Sequence, residues 1–150
     1  SESPKVFALK QKEKELGYDH LSRYLSFSNQ IHSLKEELNS LLIGLKDKGK
    51  KIAGYGASGR ANTILQFCEL DAKKIEFMID DAPAKQGYYT PGSHLEIKSN
   101  EILSSDDAPD YVIVFAWAFF DEIKKKNKKF LEKGGKFILP LPKVSVYPNN

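Results

Sequence analysis

The stretch KIAGYGASGRANTILQFCEL, residues 51–70, decides the fold. Lys51–Tyr55 makes a short apolar strand that runs straight into a glycine turn, and Ala57–Leu70 then changes to helical period, with Ile64, Leu65, Phe67, Cys68 and Leu70 apolar. Gly54, Gly56 and Gly59 satisfy G-x-G-x-x-G at this strand-to-helix junction. There the first glycine is expected to permit the tight turn, the second to let backbone N–H groups approach a phosphate, and the third to bring helix and strand close. Unpaired N–H groups and the positive dipole end of the helix favour an anion; Arg60 adds a cation and Ser58 a donor. A turn that is merely structural is the alternative.

Outward from this stretch, Ile75–Ile79 is a second buried strand ending in Asp80–Asp81, and Pro83–His94 is an ordered loop rich in glycine, proline and tyrosine. Leu95–Lys98 is a short edge strand and Asn100–Ser104 a short helix. The near-continuous apolar run Tyr111–Trp117 marks a central strand covered on both faces. Phe119–Lys133 returns to helical period, Gly134–Gly135 ends it, and Lys136–Leu139 is the last expected strand. Strands alternating with helices predict an α/β fold, a Rossmann-like, doubly wound, mostly parallel sheet. On the other side, Leu21–Leu45 carries apolar residues at three- and four-residue steps, the mark of a long amphipathic helix. Asp19 is expected to cap it and Gly49 to end it. Residues 1–17 are then a tail or short helix, 18–48 the long helix and 51–147 the α/β core, all in one domain.

The composition is that of an ordinary globular chain: 150 residues, 41% apolar, 29% charged, net charge +3. The lysines of Lys46–Lys51 and Lys124–Lys129 read as solvated surface, not as a nucleic-acid footprint. Cys68 is the only cysteine, so an internal disulfide and a cysteine zinc cluster are excluded. No apolar run approaches the roughly 20 residues that cross a bilayer, which makes no membrane and the cytoplasm the default expectations. The chain opens on Ser1 without methionine, as an excised piece of a longer protein or a tag remnant would.

Several residues are candidates for binding. Asp80 and Asp81 follow the second strand, where an acidic residue bonds ribose hydroxyls in dinucleotide sites, or where aspartate simply starts a turn. In the loop KQGYYTPGSH, Lys85 suits a phosphate and Tyr88 or Tyr89 a base ring, with the whole loop expected at the carboxyl edge of the sheet. His94 is a proton donor or a hydrogen-bonding loop residue, and Trp117 faces the same pocket or the core. No nucleophile triad, metal-ligand cluster or Walker lysine is present, so the sequence commits to no catalytic residue and no metal.

Four segments in order, GYGASGRANTILQFCEL (54–70), DDAPAKQGYYTPGSHLEI (80–97), DYVIVFAWAFFDEI (110–123) and GGKFILPLPKV (134–144), resemble the C-terminal domain of sugar C-methyltransferases. The likeness runs from Leu16 to Val144 and includes G-Y-x-x-L-x-x-Y-x-x-F from Gly17 to Phe27. Where that family usually has G-Y-G-A-x-A-K/R-G-N-T, this chain places Gly59 before Arg60 and Ala61 after it. The resemblance implies that Gly54, Gly56, Ser58, Arg60 and Asn62 surround phosphate. Asp80, Lys85, Gln86, Gly87, Tyr88, Pro91, Gly92 and His94 would shape the sugar-nucleotide side, with Trp117 nearby. It implies a dTDP-linked 4-keto-deoxysugar as ligand and upstream domains of the same polypeptide as partner. S-adenosylmethionine and zinc would belong to those upstream regions and not to this domain. There a base would remove the proton beside the keto group, and the enolate would take the methyl group. Two other readings stand beside it: an NAD(P)-binding oxidoreductase domain resting on Gly54, Gly56, Gly59 and Asp80, and a non-catalytic metabolite-binding or assembly domain.

Overall fold

The computed structural model describes residues 3–149; the expectation attached to Ser1 lies outside them. The chain divides into two compact units, Ser1–Leu34 and Lys35–Asn150. In the first, helix α1 (Pro4–Glu15) starts on Ser3, whose Oγ accepts the Val6 N–H at 3.4 Å. It stops at Gly17, which takes the left-handed conformation with φ +73° that side chains disfavour. Helix α2 (Leu21–Asp47) begins in this unit and ends in the second. Its first residue follows His20, one position beyond the expected Asp19 cap. Its end is as expected: Gly49 at φ +69° lets its N–H reach the Lys46 carbonyl, and Lys50 N–H the Leu45 carbonyl.

The second unit holds β1 (Ile52–Tyr55), α3 (Gly59–Phe67), β2 (Met78–Ile79), β3 (Ile97–Lys98), β4 (Tyr111–Val114), α4 (Phe120–Lys126), α5 (Lys128–Glu132), β5 (Lys136–Leu139) and β6 (Ser145–Tyr147). They form one six-stranded sheet in the order β3-β2-β1-β4-β5-β6. All pairs are parallel except β5 with β6. The expected doubly wound, mostly parallel α/β sheet is therefore what the chain builds. Its order reverses between β1 and β4, the switch point at which open α/β sheets hold their ligands. Val112, Ile113 and Val114 are fully buried on the central strand, which is why that segment reads as unbroken apolar sequence. On one face of the sheet Ala53, Tyr55, Phe77, Ile79, Val112 and Val114 pack with Ile123, Phe130 and Phe137.

Several boundaries differ from the sequence reading. The central strand stops at Val114, and Trp117 opens a 3-10 turn, Trp117–Phe119, half-buried and outside the core. The helix expected over Phe119–Lys133 breaks at Asn127, whose buried amide donates to the Ile123 carbonyl at 2.8 Å. The helix expected to reach Leu70 ends at Phe67 because Glu69 turns to φ +56°. Residues 75–79 run beside β1, with Glu76 N–H on the Ile52 carbonyl and Gly54 N–H on the Phe77 carbonyl, but only Met78–Ile79 form regular ladder. β6 has no counterpart in the sequence reading. Among the described residues no helix is long and apolar enough to cross a membrane.

Asp110 locks the amino-terminal edge. Its Oδ2 accepts the Lys51 N–H at 2.8 Å and its Oδ1 the Lys50 ammonium at 3.0 Å, while its own N–H bonds the Lys51 carbonyl. Partial burial pushes this carboxyl up, but those donors outweigh it and hold it below its ordinary value, as the carboxylate holds Lys50 above its own. A carboxyl lowered on folding contributes stability above about pH 3.9, where the unfolded group ionises, and loses it as pH falls through the lower folded value. Urea titrations of the wild type and Asp110→Asn should therefore show a gap at pH 7 that narrows below pH 4; a pH-independent gap would rule out this charge. Gly54 supplies a second check. A Cβ there would stand 2.8 Å from the Phe115 ring and closer still to the Met78 sulfur, so Gly54→Ala should cost about 1–3 kcal/mol in the same titration.

Candidate functional site

The bend after β1 is shaped by glycines, though in roles other than those read from the sequence. Gly54 lies inside the strand, not in the turn, and its missing side chain makes room for Met78 and Phe115. Gly56, at φ +95°, makes the turn, and a Cβ on it would meet the Ala116 methyl at 2.9 Å. The loops after β1 and β4 thus touch across the switch point. The Gly56 N–H, expected to face a phosphate, instead donates to the Ile79 carbonyl at 2.7 Å. Gly59 has open space where its Cβ would be, so no helix–strand contact requires it.

Ser58 caps α3, its Oγ accepting the Ala61 N–H at 3.3 Å, and Asn62 N–H bonds the Ser58 carbonyl. The Gly59 and Arg60 amides have no partner among the described residues and stand at the positive end of the helix. Arg60 is exposed, and its guanidinium lies 5.6 Å from the centre of the Trp117 ring, which the loop after β4 brings over. Arg60 has no ion pair among the described residues. Asn62, further into α3, has a buried Oδ1 with no hydrogen-bond partner among the described residues.

Asp80 turns inward. It is buried; Oδ1 accepts the Ala82 N–H at 2.9 Å and Oδ2 the Lys85 ammonium at 2.9 Å. Lys85 also donates to the Ala57 carbonyl at 2.9 Å, tying the loop after β2 to the glycine bend. Gln86 donates to the Asp80 carbonyl at 3.0 Å. Beyond Gly87 the loop folds back as a narrow hairpin: Gly87 N–H bonds the Ile97 carbonyl, Ile97 N–H the Tyr88 carbonyl, and Tyr89 pairs with Glu96. Tyr88 stands exposed on it.

The hairpin tip departs from the sequence expectation. Gln66 Nε2 donates to the Pro91 carbonyl at 3.3 Å, and Gly92 packs on the same amide. Gln66 lies seven residues beyond Gly59, about 10 Å along α3 at ~1.5 Å per residue. Pro91, Gly92 and His94 therefore sit at the far end of α3, away from the carboxyl edge of the sheet. His94, at φ +53°, stacks its ring on Tyr89 with centroids 4.6 Å apart. The fold gathers Gly56, Ser58, Gly59, Arg60, Asp80, Lys85, Gln86 and Trp117 around the bend, and leaves the tip of the loop elsewhere.

On the α4 side of the bend is a cavity of about 270 Å³ that the sequence reading missed, lined by Tyr55, Asp81, Phe119, Glu122 and Lys126. Tyr55 donates to Asp81 Oδ2 at 2.8 Å, and Lys126 pairs with the other Asp81 oxygen. Burial, then the Asp81 carboxylate, pushes the Tyr55 phenol well above its ordinary value, so it stays a donor. Lys126 is exposed, as expected of its lysine run, and also takes part in this ion pair. The one sequence signal for this cluster is Glu122 and Lys126, one helical turn apart just after the central strand. Burial also pushes the Cys68 thiol up, in keeping with a packed and unreactive side chain.

Both carboxylates after β2 are thus engaged within the protein. Among the described residues no cluster of histidine, cysteine and acidic side chains fits a metal ion.

Residues 1–142 match the model of the C-methyltransferase C-terminal domain. The chain is similar to the C-methyltransferase NovU of Streptomyces niveus, 34% identical over 143 residues, which cover 95% of this chain and 34% of that protein. The chain thus spans about a third of that relative's length. With a family match over nearly its whole length and this sheet, the chain belongs to the C-methyltransferase C-terminal domain family.

Proposed function

We propose that this domain binds the diphosphate of a nucleotide-linked 4-keto-deoxysugar, of the dTDP-sugar class, and orients it for C-methylation by upstream domains of the same polypeptide. The observation that carries the reading is Arg60: an exposed guanidinium, set against Trp117, beside the two unpartnered amides that open α3. Lys85, braced by Asp80 and the Ala57 carbonyl, keeps one of its three N–H donors for the same anion. Diphosphate is the part of such a ligand that a helix N-terminus with an added arginine recognises best. On this reading S-adenosylmethionine and zinc are held by the upstream regions. This domain contributes by positioning, which lowers a barrier without a catalytic side chain.

A second reading has one observation in its favour, since the strand order is that of dinucleotide-binding sheets. The inward-turned Asp80 weighs against it. Calorimetric titration with dTDP, a dTDP-sugar, NAD, NADP and S-adenosylmethionine separates the two. The dTDP compounds are expected to bind, and tight NAD binding lost in Asp80→Ala would reverse the preference.

Arg60→Ala should weaken the dTDP ligand by about 1.5–3 kcal/mol, the range for a hydrogen bond to a charged group. An unchanged dissociation constant would take Arg60 out of the site. Gly59→Ala should leave the fold intact, because its Cβ enters open space, yet weaken the same ligand by placing a methyl group before the amides. If it binds as the wild type does, those amides do not contact the ligand.

A further inference from the structure

The first unit has helices but no core. Among the described residues, none from 3 to 34 is buried, and nine large apolar side chains between Val6 and Phe27 are 44% to 73% exposed. A helix as short as α1, 12 residues, is marginal in water unless an apolar face is covered. An exposed apolar patch of this kind marks an interaction surface.

The pattern on α2 says what kind of cover is missing. Tyr24, Phe27, Ile31, Leu34, Leu38, Leu41 and Leu45 recur at alternating steps of three and four, the spacing of a seam that packs on another element. The downstream half of that seam is closed in the second unit, with Leu38 0% and Leu45 8% exposed. The upstream half is bare: Tyr24 is 54% and Phe27 61% exposed, with Leu21 beside them at 73%. The bare residues include Tyr18, Leu21, Tyr24 and Phe27, members of the G-Y-x-x-L-x-x-Y-x-x-F pattern for which the ligand site has no use. Their geometry is organised: the Tyr24 hydroxyl donates to the Tyr18 carbonyl at 2.6 Å, and the Arg23 guanidinium lies 4.4 Å from the Tyr18 ring centre.

We infer that α1 and the first half of α2 form a docking arm, and that its occupant is an apolar face of the methyltransferase part of the same polypeptide. Two thirds of the Streptomyces niveus relative lies outside the matched region, and the family domain is the C-terminal one. The bare apolar residues lie in the first part of the matched region, the part that in such a polypeptide follows the rest of the sequence. The inference rests on the reading of this domain as part of a larger methyltransferase, and not on the ligand assigned to it.

Hydrogen–deuterium exchange read by mass spectrometry tests this on the 150-residue chain and on the whole polypeptide encoded by its reading frame. In the longer polypeptide the Leu21–Phe27 amides should exchange at least about tenfold more slowly than in the 150-residue chain. Those of Leu38–Leu45 should exchange alike in both. The double variant Leu21→Glu, Phe27→Glu should abolish the difference and leave dTDP affinity of the 150-residue chain unchanged. Equal exchange in the two proteins, or a reading frame without a methyltransferase segment, overturns the proposal. So does a dimer of the 150-residue chain that protects Leu21–Phe27, because the occupant is then a second copy. Loss of the ligand reading alone would appear as absent dTDP binding with the exchange difference intact.

Discussion

Two chain reversals, after β1 and after β4, must share one place at the carboxyl edge of the sheet, and only missing side chains let them. Gly54 leaves the space that Met78 and Phe115 fill, and Gly56 comes within a methyl's reach of Ala116. Because the two bends are this close, the start of α3 opens directly beside the turn that carries Trp117. Arg60 and the indole meet there although 57 positions (117 minus 60) separate them in the chain.

The charges near the bend fall into two kinds. Asp80 with Lys85, and Asp81 with Lys126 and Tyr55, are satisfied within the protein. These pairs fasten the loop after β2 to the glycine bend and to α4. Partly exposed ion pairs contribute little by themselves. Arg60 is of the other kind, a cation left facing solvent beside two open amides. Asp80 and Asp81, by contrast, each hold a cation of the protein itself. The strand order of a dinucleotide fold and a bend whose cation faces solvent therefore coexist in one domain.

Packing is unevenly distributed between the two units. The second has a continuous core on the sheet, with Val112, Val114, Phe115 and Phe137 fully buried. Among the described residues of the first, none is buried. Helix propensity and capping at Ser3 and Gly17 define its local geometry, but burial is what stabilises helices in water.

The features that sequence determined are the ones set by local rules. A glycine pattern between strand and helix, a 25-residue run of helical period in Leu21–Leu45, the left-handed glycine at position 49 and an unbroken apolar central strand each follow from neighbours a few residues apart. Tertiary structure decided the rest, because it depends on partners distant in the chain. β6 is three residues long and exists only by pairing with β5. The Gly56 amide is taken by Ile79, the Asp80 carboxylate by Lys85, and the hairpin tip is drawn by Gln66 to the far end of α3. A backbone or side-chain polar group in a folded chain goes to whichever partner lies within about 3 Å, and residue types and spacing alone do not say which partner that is.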